Sequence, residues 1–107
     1  MRLGDLSMQI TLNDGNVRTS PAMLDFIRTQ ASRAFAAFGD RIHSLTVSLV
    51  DENGPRGGDD KSCRVSANVS GLGFISVRAT GPDYYASMRD AIRKAGRAAS
   101  HRLQRRR

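Results

Sequence analysis

The sequence predicts an α+β domain: a two-layer sandwich in the order β-α-β-β-β-α, with a four-stranded mixed sheet and two helices on one face. Three observations predict it. Four short segments alternate apolar and polar residues with the period of a half-buried strand. Two longer segments repeat their apolar residues every three or four positions, as a helix does. Between the last two strands lies a glycine-rich turn, Gly71-Leu72-Gly73, short enough to make them an antiparallel hairpin. A strand–helix–strand unit crosses over right-handed and leaves its strands parallel, so the sheet is mixed and both helices must cover its apolar face.

Taken in order, Met8 to Leu12 alternates as a strand and stops at the turn cluster Asn13-Asp14-Gly15-Asn16. Ser20-Pro21 opens the first helix, with Ser as N-cap and Pro at the first helical position. Leu24, Ile27, Ala31, Ala34, Phe35 and Phe38 keep helical spacing, and Gly39 is the expected left-handed C-cap. Phe26 lies off that face and is expected at an edge. Ile42 to Val50 turns Leu45, Val47 and Leu49 inward, and the run from Asp51 to Asp60 is too polar and glycine-rich for regular structure. Ser62 to Ser70 points Cys63, Val65, Ala67 and Val69 inward. Ile75, Val77 and Ala79 do the same in the last strand. The opposite face, with Gln9, Thr11, Thr46, Ser48, Arg64, Ser66, Asn68, Ser76 and Arg78, is polar and meets water or a partner.

The last helix opens at Gly81-Pro82-Asp83, with Pro just inside it and Asp83 in the first turn. Its apolar residues fall at Tyr85, Met88, Ile92, Ala95, Ala99 and Leu103. Gly96 interrupts it, which costs about 1 kcal/mol relative to Ala and predicts a frayed end. At about 100° per residue, Arg93, Lys94, Arg97, His101 and Arg105 share the opposite arc.

Charge is concentrated there. The chain of 107 residues carries a formal net charge of +7, and residues 81–107 hold eight Lys or Arg against two Asp. Residues 1–40 balance four Arg against four Asp, and residues 41–80 carry five basic against four acidic side chains. So polarised a distribution, with a pI near 11.0, is the footprint of a polyanion binder. Arg dominates Lys, which suits phosphate because the guanidinium fork grips two oxygens at once.

Length allows one core and one domain. The expected organisation is an N-terminal extension over 1–7, a single domain over 8–104 and a basic tail over 105–107. No run approaches the roughly 20 apolar residues of a membrane span, and Met1-Arg2-Leu3-Gly4-Asp5 has no apolar run behind it, which argues against a secretory signal. A single cysteine, Cys63, makes no internal disulfide, as expected in a reducing cytosol. Facing inward, it lacks the exposed electropositive setting of a nucleophile. His43 and His101 have no His or Cys at ligand spacing, and no phosphate-cradling glycine motif follows a strand. The expectation is a non-enzyme with no metal, cofactor, membrane or small-molecule substrate.

Several of these stretches together resemble the ribosome hibernation-promoting factor family, also called ribosome-associated inhibitor A or ribosomal subunit interface protein. They are Met8-Gln9-Ile10; Arg41 to Leu49 followed by Asp51-Glu52-Asn53-Gly54; and Gly81-Pro82-Asp83-Tyr84-Tyr85-Ala86-Ser87-Met88, which is similar to the family's Asp-x-Tyr-Ala-Ala-Ile opening of the last helix. Lys94 and Arg97 match its Lys-x-x-Arg. The similarity spans residues 8–105 in order. Departures are Arg89, where the family has an acidic residue, and Ala95 and Ala99, where it has larger apolar ones. The resemblance implies the same β-α-β-β-β-α fold and a cytoplasmic protein of the short form. Its partner would be the small ribosomal subunit with its ribosomal RNA, bound in the mRNA and tRNA channel during stationary phase or stress.

The candidate RNA contacts are Arg93, Lys94, Arg97, His101, Arg102 and Arg105, with Arg28 and Arg33 on the first helix and Arg64 and Arg78 on the open sheet face as a second tier. Arg102 lies nearer the apolar edge, its stem expected to pack and its head to reach out. Tyr84 is a candidate for packing or for stacking on a base, and Tyr85 for the core. Two alternatives stand beside the ribosomal reading. One is a general RNA-binding module of the double-stranded-RNA-binder type; the other is a protein-interaction domain using the open sheet face.

Overall fold

The computed structural model describes residues 8–15, 20–51 and 61–105. The expected extension over 1–7, Asn16 of the expected turn cluster, residues 52–60 of the loop expected over 51–60 and residues 106–107 of the tail expected over 105–107 lie outside them. Asp51 ends a strand and Arg105 ends the last helix. Strand β1 (Gln9–Asn13) leads to helix α1 (Pro21–Ala34), a 3-10 segment (Ala36–Arg41), β2 (Ile42–Asp51), β3 (Lys61–Val69), β4 (Gly73–Gly81) and helix α2 (Tyr84–Arg105). The sheet order is β1-β2-β3-β4, with β1 parallel to β2 across the α1 crossover and the other pairs antiparallel. The expected α+β sandwich with a four-stranded mixed sheet is the observed one.

One apolar core fills the space between sheet and helices. Leu45, Val47, Cys63, Val65, Ala67 and Ile75 from the sheet meet Ile27, Ala31, Phe35, Met88, Ile92 and Ala95 from the helical layer, all essentially inaccessible to water. A bulge at His43 adds to this core. The register slips between Ile42 and Ser44, so Ile42 and Leu45 both face inward although three positions apart. Strict alternation could not have placed them so.

Helix α1 begins as expected, with Ser20 Oγ accepting from the Met23 amide at 3.3 Å. It ends earlier than its spacing suggested. The Phe35 amide donates to Ala31 O at 3.0 Å and the chain tightens into the 3-10 segment, where Phe38 N–H donates to Phe35 O at 3.0 Å. Gly39, at φ +56°, is therefore not the α1 C-cap but a left-handed break inside that segment. The three-residue spacing of Phe35 and Phe38 fits the three-residue turn, and both rings reach the core, 6.1 Å apart. The buried ridge of α1 is Met23, Ile27 and Ala31, whereas Leu24 is 43% exposed. Leu24 is thus not a core residue, because the face centred on Ile27 takes in its i−4 neighbour.

Helix α2 starts at Tyr84, two residues later than the Pro82 start its sequence suggested. Asp83 is not in the first turn; it precedes the helix, and its Oδ1 accepts from the Ala86 amide at 2.8 Å, the geometry of an N-cap. The buried Ser87 hydroxyl bonds to Lys61 O and ties this first turn to the start of β3. Tyr84 and Tyr85 divide the work differently from the expectation. Tyr84 packs against the core with Lys61 Nζ 6.0 Å from its ring centre. Tyr85 is 39% exposed and meets Phe26 edge-to-face, centroids 4.9 Å apart. Phe26 is thus at an edge, as anticipated, and Tyr85 joins it there because the α1–α2 seam is open to solvent at that point.

Gly96 carries the largest correction. It does not fray α2, which runs unbroken to Arg105, and it is buried. A Cβ on Gly96 would lie 2.6 Å from Ala34 O and 3.2 Å from Ala34 Cβ. The two helices cross so closely that only a hydrogen fits.

Candidate nucleic-acid interface

The basic face of α2 is built by two adjacent i, i+4 rows. One is Arg93, Arg97 and His101, all exposed; the other is Gly96, Ser100 and Gln104. Because Gly96 lets α1 approach, the two rows and Ala34 border an open cleft of about 410 Å³. Ala34, Gly96 and Ser100 are small lining residues, Arg93 and Arg97 bring guanidinium groups, and His101 brings an imidazole. Arg105 extends the stripe on the exposed side. Like charges at i, i+4 repel by a few tenths of a kcal/mol per pair, and α2 has no acidic residue after Asp90 to offset them. Arg89, by contrast, pairs with Asp90 at 3.2 Å and stands outside the stripe. The arrangement is suited to an anion bearing several charges at intervals, as a phosphate backbone does.

The remaining cations predicted from the sequence are not brought together in one place. Lys94 is exposed, yet its Nζ donates to Arg78 O at 2.9 Å, which holds it at the β4 edge. Arg102 packs its stem as expected, but its head turns back to the sheet: Nη1 donates to Phe74 O at 2.8 Å and to Leu72 O at 3.2 Å. These two side chains cover backbone carbonyls on an edge strand that would otherwise offer itself for pairing. Arg28 and Arg33 are exposed on α1. Arg33 stands in its last turn next to Ala34 in sequence, and Arg28 lies further from the cleft.

Arg64 and Arg78 face each other directly across β3 and β4 on the open side of the sheet. They line a shallow notch of about 180 Å³ with Ser48, Val50 and Ser62, and Arg78 Nη2 lies 3.4 Å from Ser62 Oγ. Sequence reasoning missed Ser100, Gln104 and the role of Gly96, since a glycine in a helix reads as a weak point until a neighbour is seen against it. It also missed Phe74, which is 71% exposed on the polar face; alternation gives the face a residue takes but not whether anything covers it.

Cys63 is fully buried, and that burial pushes its thiol up from 9.0 to about 12. It stays a thiol at neutral pH and supplies no nucleophile. The folded protein is expected to resist a thiol-specific reagent at pH 8 and to react once unfolded; rapid reaction of the native form would place Cys63 at the surface. Because the folded value is the higher one, the stabilisation from the buried thiol is fully present below pH 9.0 and is lost as pH rises towards about 12. Among the described residues no three His, Cys, Asp or Glu side chains come together as a metal site requires. No helix among them is long and apolar enough to cross a membrane.

Neither a family model nor a curated protein matches the sequence, whereas solved structures match the fold. A ribosomal subunit interface protein from Coxiella burnetii superposes with a TM-score of 0.71 at 18% identity, over 88% of this chain and 96% of that one. The N-terminal domain of Protein Y from Thermus thermophilus superposes with a TM-score of 0.70 at 19% identity, over 88% and 98%. The chain therefore has, over nearly their whole length, the fold of a ribosomal subunit interface protein and of the Protein Y N-terminal domain.

Proposed function

We propose that this chain is a member of the hibernation-promoting factor family: a cytoplasmic, non-enzymatic protein that binds the small ribosomal subunit and silences idle ribosomes. In this reading it occupies the mRNA and tRNA channel. The α2 stripe of Arg93, Arg97, His101 and Arg105 lies along ribosomal RNA phosphates, with Lys94 and Arg102 at its margin and with Arg33 and the more distant Arg28 of α1 as further contacts. One observation carries the proposal: a basic helix face with no acidic residue among its cations, set on the fold of a ribosomal subunit interface protein. The fold supplies the shape and the stripe supplies the charge, which together suit a site crowded with phosphate. Inhibition follows from occupancy, with no bond made or broken.

Co-sedimentation with ribosomes in a sucrose gradient at near-physiological salt tests this. Saturable binding to empty small subunits or whole ribosomes is expected, and it should be lost when mRNA and tRNA fill the channel. Protein spread over every RNA-bearing fraction without saturation would indicate a general RNA binder. Protein left at the top of the gradient would overturn ribosomal association.

A further inference from the structure

The open face of the sheet carries a second, chemically different surface. Phe74 is 71% exposed there, directly opposite Asn68 on β3. Next along the face come the Ser66–Ser76 pair, with hydroxyls 3.4 Å apart, and then Arg64 and Arg78, opposite each other in register. A lone exposed aromatic on a protein surface needs no explanation. This one is in different company, since it starts a line of aromatic ring, amide and hydroxyl groups, and paired cations along two strands. Arg64 and Arg78 form the cationic end of this line, beside the notch that they border with Ser48, Val50 and Ser62.

We propose that this face binds single-stranded RNA. Phe74 stacks on a base, Asn68, Ser66 and Ser76 offer hydrogen bonds to exposed base edges or ribose hydroxyls, and Arg64 and Arg78 hold a phosphate further along the strand. Four residues at about 3.4 Å each separate Phe74 from Arg78 by roughly 14 Å, the reach of a short extended oligonucleotide rather than of one nucleotide. A flat strand pair with one protruding ring admits unpaired bases, whereas in a duplex the base faces are already stacked and hidden. The platform is firmly held. Gly71 and Gly73 take positive φ in the turn before Phe74, and the Arg102 guanidinium bonds to the Phe74 carbonyl at 2.8 Å. Lys94 and Arg102 bring the positive charge of α2 to the β4 edge, so the basic surface passes from the helix to this face.

Fluorescence anisotropy with a labelled oligouridylate of about eight nucleotides, at low salt, tests the idea without the ribosome. Saturable binding is expected, weakened about 5- to 140-fold by Phe74→Ala, the equivalent of the 1–3 kcal/mol carried by one stacked base. Phe74→Tyr should retain it. In the unmodified protein, amide resonances of Phe74, Ser76, Arg78 and Arg64 should shift on titration with the same oligomer. Undiminished binding by Phe74→Ala, resonance shifts confined to α2, or no saturable binding would each overturn the proposal. Failure of the ribosome experiment alone would leave it standing, because the probe and the readout belong to the sheet.

Discussion

Arg93→Glu combined with Arg97→Glu is expected to abolish co-sedimentation with ribosomes while leaving the helix content unchanged. Both side chains are exposed and border the α1–α2 cleft, so the substitution removes charge without touching the core. Each reversal lowers the formal net charge of +7 by two units and sets a carboxylate against phosphate. If both arginines neutralise phosphates, log K against log salt should also flatten by about 0.7–0.9 for each phosphate left without its cation, readable on any residual binding. Lys94 is a poorer choice for this test despite its place on the stripe, because its bond to Arg78 O mixes binding with sheet-edge structure. A double variant that binds ribosomes as well as the parent, with the same salt slope, would remove α2 from the interface.

Gly96→Ala is expected to destabilise the fold, against the usual direction of such a change in a helix. In an open helix the substitution gains about 1 kcal/mol. Here the new methyl would sit 2.6 Å from the Ala34 carbonyl oxygen, a backbone atom with no rotamer to adopt. The helices must separate, and overpacking of this kind costs about 1–3 kcal/mol. For a domain of this size each net kcal/mol lowers the melting temperature by roughly 4–8 °C. Thermal unfolding followed by circular dichroism measures it. A raised melting temperature would mean that the α1–α2 crossing is looser than described, and with it the cleft that the arginines border.

Several features were legible from the residues alone. Period-two alternation identified the inward rows of β2, β3 and β4, because one-sided burial leaves its mark at every second position. The charge count located the basic face of α2, since a solvated face needs no neighbour to define it. Ser20 was recognised as a cap because its hydroxyl acts on amides within a few residues.

What the sequence by itself determined, then, was the order of the strands and the two main helices, the mixed sheet, the faces of the strands and the polarity of the last helix. The tertiary structure alone decided what depends on a partner distant in the chain. It made Gly96 a contact point with Ala34, turned the heads of Lys94 and Arg102 back onto β4, placed Ile42 in the core through a bulge, and left Phe74 exposed beside Asn68. The reason is physical. A periodicity reports which way a side chain points, whereas the use of that side chain is set by what another segment brings within a few ångströms of it.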